Sequence, residues 1–495
     1  TAWWPYTAGE TTPPAVKVAA DQSARKNFEG SDLIVAEKQT VSYGNPTLRF
    51  THRTARVTVV LTDYTEEQIF VRLTGLSTEN GNPAVIAPYD KGGDTYTALV
   101  APQTVAAGTA FITCKFTNGK VFVYKMQSDA EWKAGEEYTY TVSLAAAEDP
   151  GYTVSEDGKT YTVYTDEGLR NVAKLVNEEW KLDINITLTG DINLTGIDWT
   201  PIGKGYNHQY TGTFDGGNYT ITGLAVTGSD QYAGLFGHIG SGGTVKNVTL
   251  KDVKIESNHS SGNVGGVAGW SYGNIEYCSV SGSVSSNSTA GGVVGAQLSG
   301  SITGCNSSAT VKGMVRAGGV AGATNSGASL TGCYATGSVS VENNTTSAAY
   351  AGGVVGSNGA SSTLTACYAT GSVTGSGSGT IYTGGVTGSN DLGTLTACYH
   401  AKWTVSGPGG ATGGVAGRNF KDFMFGGGII TACYWGSNPY TGIGYNEGGS
   451  TTIETTKVTD GDWLDAVEQM NAALQSAGSE WLYELTGALP TLKKQ

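Results

Sequence analysis

Gly265-Gly266-Val267-Ala268-Gly269 recurs as Gly-Gly-Val-x-Gly at residues 291–295, 318–322, 352–356, 384–388 and 413–417. Counted from the first glycine of each copy, a cysteine follows 13 to 20 residues later, and in four copies a tyrosine comes directly after it. Successive copies lie 26 to 34 residues apart, the mark of a stacked repeat in which each unit buries its apolar face only against its neighbours. Leu330-Thr331-Gly332-Cys333-Tyr334-Ala335-Thr336-Gly337-Ser338-Val339 returns almost unchanged as Leu364-Thr365-Ala366-Cys367-Tyr368-Ala369-Thr370-Gly371-Ser372-Val373. Alternate positions there are apolar or small, as a half-buried strand requires, and Gly337 marks a turn. Gly-Gly-Val-x-Gly supplies a second strand, with glycines for corners and close approach between coils and a central valine for the core. The pattern predicts a right-handed parallel β-helix of about six or seven rungs, a rod on the order of 30 Å at about 4.8 Å per rung. The inserts Glu342 to Tyr350 and Gly375 to Tyr382 are expected as surface loops.

Composition agrees with an all-β chain. It holds 74 Gly and 26 Tyr among 495 residues, rich in turn and strand formers. Charge density divides the chain: residues 1–150 carry 13 basic and 17 acidic side chains, whereas 265–440 carry 5 and 4. The first part reads as an ordinary globular domain and the second as a low-charge solenoid. A net charge of -13 and the lack of clustered Lys and Arg argue against nucleic acid and an anionic membrane surface as partners. No run approaches a transmembrane segment, and none resembles a signal peptide, so an export signal or lipid anchor is expected outside this chain.

Cys278, Cys305, Cys333, Cys367, Cys398 and Cys433 occupy the same place in successive repeats. Stacked rungs would align them as a buried structural ladder of small apolar side chains. No C-x-x-C spacing and no H-E-x-x-H is present, the five histidines are scattered, and neither a metal nor a cofactor is expected. His52, on a strand beside Phe50, reads as a packed residue with one satisfied hydrogen bond.

The segments flanking the repeats read as caps. Asp166 can cap a helix whose Leu169, Val172, Ala173 and Val176 form one apolar stripe. Strand-like runs follow at Ile184 to Leu188, Asp191 to Leu194, Thr220 to Val226 and Val245 to Ile255. After Asp460 and Asp462, Leu464, Val467, Met470 and Leu474 form a second stripe, expected as a helix closing the C-terminal end, where unpaired strand edges need cover. Ahead of the solenoid, Arg56 to Leu61, Phe111 to Phe116, Val121 to Lys125 and Tyr138 to Leu144 alternate as strands. Asn118-Gly119 and Gly81-Asn82-Pro83 mark turns between them, the pattern of a β-sandwich. The expected division is 1–146 as sandwich and 147–495 as β-helix, the latter comprising a lead-in and N-terminal cap at 151–264, repeats at 265–440 and a C-terminal cap at 441–495.

These residues carry two resemblances. The Gly-Gly-Val-x-Gly repeats with Cys-Tyr-Ala-Thr-Gly resemble the GLUG motif of bacterial surface proteins. The lead-in agrees, through Asp191-Ile192-Asn193-Leu194, Trp199-Thr200-Pro201-Ile202-Gly203, Thr213-Phe214-Asp215-Gly216 and Gly234-Leu235-Phe236-Gly237. Ser31-Asp32-Leu33-Ile34-Val35-Ala36, Leu48 to Val57, Leu99 to Val105 and Trp132 to Val142 are similar to the fimbrillin-like proteins of Bacteroidetes, and the match begins partway into that family's pattern. The resemblance implies a β-sandwich and a fimbrial subunit, anchor or surface adhesin.

The functional expectation is therefore a non-enzymatic cell-surface adhesin, or an accessory or tip protein of a fimbria, located at the outer membrane or on the fimbrium. Its partners would be host or bacterial surface glycan or protein ligands and other fimbrial subunits. Trp270, Tyr272, Trp403 and Trp435 are the candidate ligand-binding residues, because they could stack on sugars; aromatics also close β-helix corners. The alternative is a polysaccharide lyase or glycosidase. That chemistry needs paired carboxylates or an acidic cluster with a base, and Glu276, Glu342, Asp391 and Asp422 fall in different repeats at inequivalent positions.

Overall fold

A computed structural model describes residues 1–495 apart from 7–8, 65–67, 117–120, 145–148, 156, 402–403, 409–410, 423–425 and 449–451. The chain forms two compact units, Thr1–Ser155 and Glu156–Gln495. Among the described residues no helix is long and apolar enough to cross a membrane.

In the first unit Ala55–Thr62 lies between Glu137–Ser143, which runs parallel to it, and Thr95–Val100, which runs antiparallel, with Tyr89–Gly92 at the edge. A second, antiparallel sheet places Ala110–Phe116 between Val121–Lys125 and Gln68–Leu73. Alternation decides what meets between them: Val57, Val59 and Leu61 from the first sheet share a core with Val71, Leu73, Phe111 and Phe116 from the second. Trp132 completes this core, and its indole N–H donates to the Tyr140 hydroxyl at 2.8 Å. Buried Gln22 takes the place of a strand neighbour. Its amide donates to the Leu99 carbonyl and accepts from the Leu99 N–H, both at 2.8 Å, so no backbone polar group is stranded there. Ala2–Trp4, Ile34–Ala36 and Thr51–His52 form a small antiparallel sheet. His52 is exposed in it and bonds Asp32 at 2.9 Å, so it is a surface residue with a carboxylate partner and not the packed residue expected. The Asn118-Gly119 turn lies outside the described residues.

The second unit is a parallel β-solenoid of about ten turns. Its register is visible in one column, where Ile186, Phe214, Val245, Ile275, Ile302, Leu330, Leu364, Leu395 and Ile430 sit directly over one another. The expectation of six or seven rungs is too low because it counted only the glycine-signature copies. Coils before Gly265 stack in the same register with a degenerate signature, and Phe236 of Gly234-Leu235-Phe236-Gly237 pairs with Ala268. Ten turns at about 4.8 Å give a rod of about 48 Å.

Each Gly-Gly-Val-x-Gly segment turns a corner. The valines at 267, 293, 320, 354, 386 and 415 are fully buried, and their backbones bond in succession, Val267 N–H to the Val293 carbonyl at 2.8 Å and onward to Val415. A Cβ on Gly318 would lie 1.9 Å from the Ala321 carbonyl oxygen, so no side chain fits there. The six repeat cysteines are also fully buried. The residue before each, Tyr277, Gly304, Gly332, Ala366, Ala397 and Ala432, takes a left-handed φ between 48° and 65°, a bend at the same place in every coil. Thiols donate to the carbonyl of the preceding rung: Cys333 Sγ lies 3.4 Å from the Ile302 oxygen and Cys398 Sγ 3.5 Å from that of Leu364. Burial pushes the thiols of Cys305, Cys333, Cys367 and Cys398 well above their usual range.

The ends differ from the sequence reading in two respects. The first helix, Asp166–Asn177, is capped by Thr165, whose hydroxyl accepts from the Gly168 N–H at 2.9 Å, and not by Asp166. Its Leu169, Val172, Ala173 and Val176 are buried as expected. The C-terminal helix, Leu464–Ser476, buries Ala466, Val467, Met470 and Leu474 while Leu464 stays exposed. This helix does not close the end of the solenoid. With the hairpin Trp481–Glu484 and Thr491–Lys494 it lies along one flank, because that flank carries a column of stacked tyrosines in need of cover. Tyr334, Tyr368 and Tyr399 stack at 4.9 and 4.8 Å, and Trp463 and Tyr483 pack on Tyr399 at 4.9 and 5.6 Å. The segment runs back as far as Tyr277, whose hydroxyl accepts from Lys494 Nζ at 2.9 Å.

All seven cysteines are buried free thiols, and a thiol must reach solvent as thiolate to react. Iodoacetamide should leave them unmodified in native buffer and label all seven in denaturant, counted by mass spectrometry; native labelling of a ladder cysteine at the rate of a free thiol would contradict this packing. His238 and His400 are also buried, and burial pushes both down to about 4 from 6.5, with the Gly371 carbonyl partly opposing the shift at His400. The folded chain resists protons that the unfolded chain accepts. Stability should therefore sit on its plateau above about pH 6.5 and fall as pH drops toward about 4, read as a declining denaturation midpoint. His400→Gln should flatten that slope.

Candidate ligand-binding groove

Stacking turns single sequence positions into columns. The residue directly after Gly-Gly-Val-x-Gly forms one: Trp270, Ala296, Ala323, Ser357, Ser389 and Arg418 are paired in register. The residue two places before the motif forms another: Asn263, Thr289, Arg316, Tyr350 and Tyr382. In the first column large side chains stand at the two ends and small ones between, so its middle rungs are recessed, while the second column places Arg316 beside that recess. The result is a groove of about 400 Å³ along the solenoid, with Trp270 at one end, Phe420 at the other, Ala296 and Ala323 between, and Arg316 and Asp391 among its polar lining.

The charged groups are held differently. Arg418 pairs with Glu447 at 2.9 Å and lies 4.3 Å from the Phe420 ring centre and 5.4 Å from that of Tyr382. Asp391 accepts from the Ser389 hydroxyl at 2.6 Å and from the Ser357 hydroxyl at 3.1 Å, one bond to each oxygen. Arg316 has no ion-pair partner among the described residues; its guanidinium lies 6.0 Å from the Tyr350 ring centre. Tyr350 stacks on Tyr382 at 5.6 Å. Burial first, and the Asp391 carboxylate second, push its phenol upward, and its hydroxyl accepts from Arg418 Nη1 at 3.5 Å.

At the Trp270 end the rings form a cluster. Trp270 and Tyr232 meet edge to face at 5.5 Å, and His238 is enclosed by Tyr232 at 4.5 Å, Trp270 at 5.9 Å and Tyr206 at 6.1 Å. Beyond this cluster a second cavity of about 470 Å³ is lined by Asp198, Lys204, Tyr206, Asp230 and Tyr232 among others. The indole N–H of Trp270 is buried and meets no acceptor among the described residues. No group of three or more His, Cys, Asp or Glu that could hold a metal occurs among the described residues.

Of the four aromatic candidates, Trp270 lines the groove and Tyr272 stands beside it, with ring centres 6.5 Å apart. Trp435 is 5% exposed, donates to the Pro439 carbonyl at 2.9 Å and lies against Gly414. It closes the core and offers no ring face to a ligand. Trp403 lies outside the described residues. Sequence reasoning missed Arg316, Tyr350, Asp391 and Phe420. The first two become visible when the repeats are aligned by column, because both stand two places before a Gly-Gly-Val; Asp391 and Phe420 occupy the less regular stretch beyond the motif.

Residues 1–159 match the fimbrillin-like family, and residues 260–285 match the GLUG motif. Halomucin of Haloquadratum walsbyi is 30% identical over an alignment of 258 residues that covers 46% of this chain and 3% of Halomucin, so the chain spans a small part of that relative. A Bacteroides ovatus structure provisionally described as an immunoglobulin A1 protease is 18% identical, covers 70% of this chain and 95% of its own, and superposes with a TM-score of 0.44. A fimbrial protein of Bacteroides ovatus is 17% identical, with 32% and 38% covered and a TM-score of 0.18. The chain thus carries a fimbrillin-like N-terminal region followed by a β-solenoid that bears the GLUG motif.

Proposed function

We propose that this protein is a cell-surface adhesin, or a fimbria-associated accessory or tip subunit, whose solenoid groove receives a glycan or protein ligand of a host or bacterial surface. The observation that carries the reading is the groove itself: aromatic rings at both ends, recessed small residues between, and charged groups of both signs on rigid columns. A preformed, rigid surface loses little entropy on binding. The fimbrillin-like region supports a surface location and contact with other fimbrial subunits.

Polysaccharide cleavage fits the groove less well. A hydrolase needs two carboxylates across the bond, one of them a proton donor. Asp391 is the single carboxylate among the groove-lining residues, and both its oxygens already accept from serine hydroxyls.

The test is a glycan and host-matrix array probed with the full chain and with Trp270→Ala. Trp270 contributes a ring at one end of the groove, so its loss should weaken the retained ligands roughly threefold to tenfold, with circular dichroism at the assay temperature checking that the variant stays folded despite the lost packing on Tyr232 and His238. Undiminished binding by both Trp270→Ala and Tyr350→Ala would place the ligand elsewhere.

A further inference from the structure

We infer that the groove is built for an extended acidic saccharide, laid along the solenoid axis with a carboxylate of the sugar on Arg316. This rests on the reading of the groove as the binding surface and adds the chemical class of its ligand.

Three observations converge. The first is charge accounting within the groove. Arg418 is engaged by Glu447, and Asp391 also bears on it; Arg316, midway along, has no carboxylate at ion-pair distance among the described residues. A half-buried guanidinium facing a recess presents a planar fork suited to a carboxylate. The chain's net charge of -13 does not forbid an anion here, because residues 265–440 carry 5 basic and 4 acidic side chains and distant surface charge is screened within about 8 Å in physiological salt.

The second observation is the spread of polar groups suited to sugar hydroxyls. Asp391 is pinned by Ser357 and Ser389, which leaves each oxygen a further lone pair. The buried indole N–H of Trp270 meets no acceptor among the described residues. Asn263 and Asn325 add amides to the same lining. Between these lie apolar alanines and flat rings, the alternation a pyranose presents with its ring faces and equatorial hydroxyls.

The third is periodicity. From Trp270 to Arg418 the column advances five pairings, about 24 Å at the strand spacing. An extended saccharide chain advances per residue by a distance of the same order as one rung, so a chain along the axis meets equivalent backbone positions again and again. An acidic peptide satisfies the charge and not the flat-ring and hydroxyl-rich lining, and serves as the competing probe.

The experiment titrates the full chain calorimetrically with uronic-acid oligosaccharides of two to eight residues, neutral glucose oligosaccharides of the same lengths, and an oligoglutamate peptide. The uronate series should bind, tighten with length up to the span of the groove and weaken with added salt. Arg316→Gln should reduce uronate affinity about tenfold or more and Arg316→Lys by less, with unchanged melting temperatures. Neutral saccharides bound as tightly as uronates, with Arg316→Gln silent, would overturn the acidic class and leave the groove reading standing. Oligoglutamate bound in preference, with the same loss in Arg316→Gln, would overturn the saccharide. No binding of any saccharide, together with array binding that Trp270→Ala leaves intact, would remove the groove reading as well.

Discussion

The register of the parallel stack is the constraint on which the second unit depends. A β-strand shows alternate faces at every step, so a slip of one residue would turn a whole apolar column outward. The column from Ile186 through Leu330 to Ile430 forbids this, since each of its apolar residues, aliphatic except for Phe214, is paired in register with the one below. Every other column follows from it: cysteines lie over cysteines and tyrosines over tyrosines because the aliphatic column has fixed the phase. Buried polar residues obey the same rule. The amide of Asn358 donates to Asn390 at 2.9 Å, and that of Asn390 donates to Asn419 at 3.0 Å. Each of these amides is served by its equivalent one rung away, so a polar column can run through the interior with its amides paired from rung to rung.

This explains which parts of the structure were legible in the sequence. A position repeated in every coil is read many times over, so the burial of Cys333 and Val320 follows from the alignment of the repeats. The turns before Gly265 repeat the geometry with different letters: Phe236 occupies the place of Ala268 with no Gly-Gly-Val-x-Gly around it. Counting signatures therefore undercounts coils. The flank-packed C-terminal helix was hidden for another reason. An apolar stripe shows that a helix is covered and says nothing of what covers it. Its partner is the tyrosine column, whose existence follows only once the register is known.

The groove illustrates the same division. Trp270 stands out in sequence as a rare aromatic among glycines, yet Trp435 looks equally rare and is a core residue. Their difference lies in position relative to the glycine motif. Trp270 follows Gly-Gly-Val-x-Gly directly, in the column that also holds Arg418, whereas Trp435 follows Cys433-Tyr434 and turns into the core beside Gly414. Residue type nominates a ligand-binding side chain, and column decides between ring face and packing. Tyr350 is one of 26 tyrosines and becomes prominent only by column, whereas Arg316 is one of eight arginines and its column is what places it beside the groove.

Columns also show how a solenoid of uniform coils acquires one distinctive face. Substitution at a core position is propagated to the rungs above and below, so the Ile/Leu column and the buried valines admit little change. The tyrosine flank is covered by the C-terminal helix and hairpin, from Tyr434 back to Tyr277. The columns beside the glycine corner are under neither restriction. There the chain sets tryptophan, alanine, serine and arginine on successive rungs of one rigid scaffold. A binding surface assembled this way takes its spacing from the backbone hydrogen bonds and its chemistry from single side chains. On the proposed reading of the groove, a change of ligand would require exchanges within two columns and no change of fold.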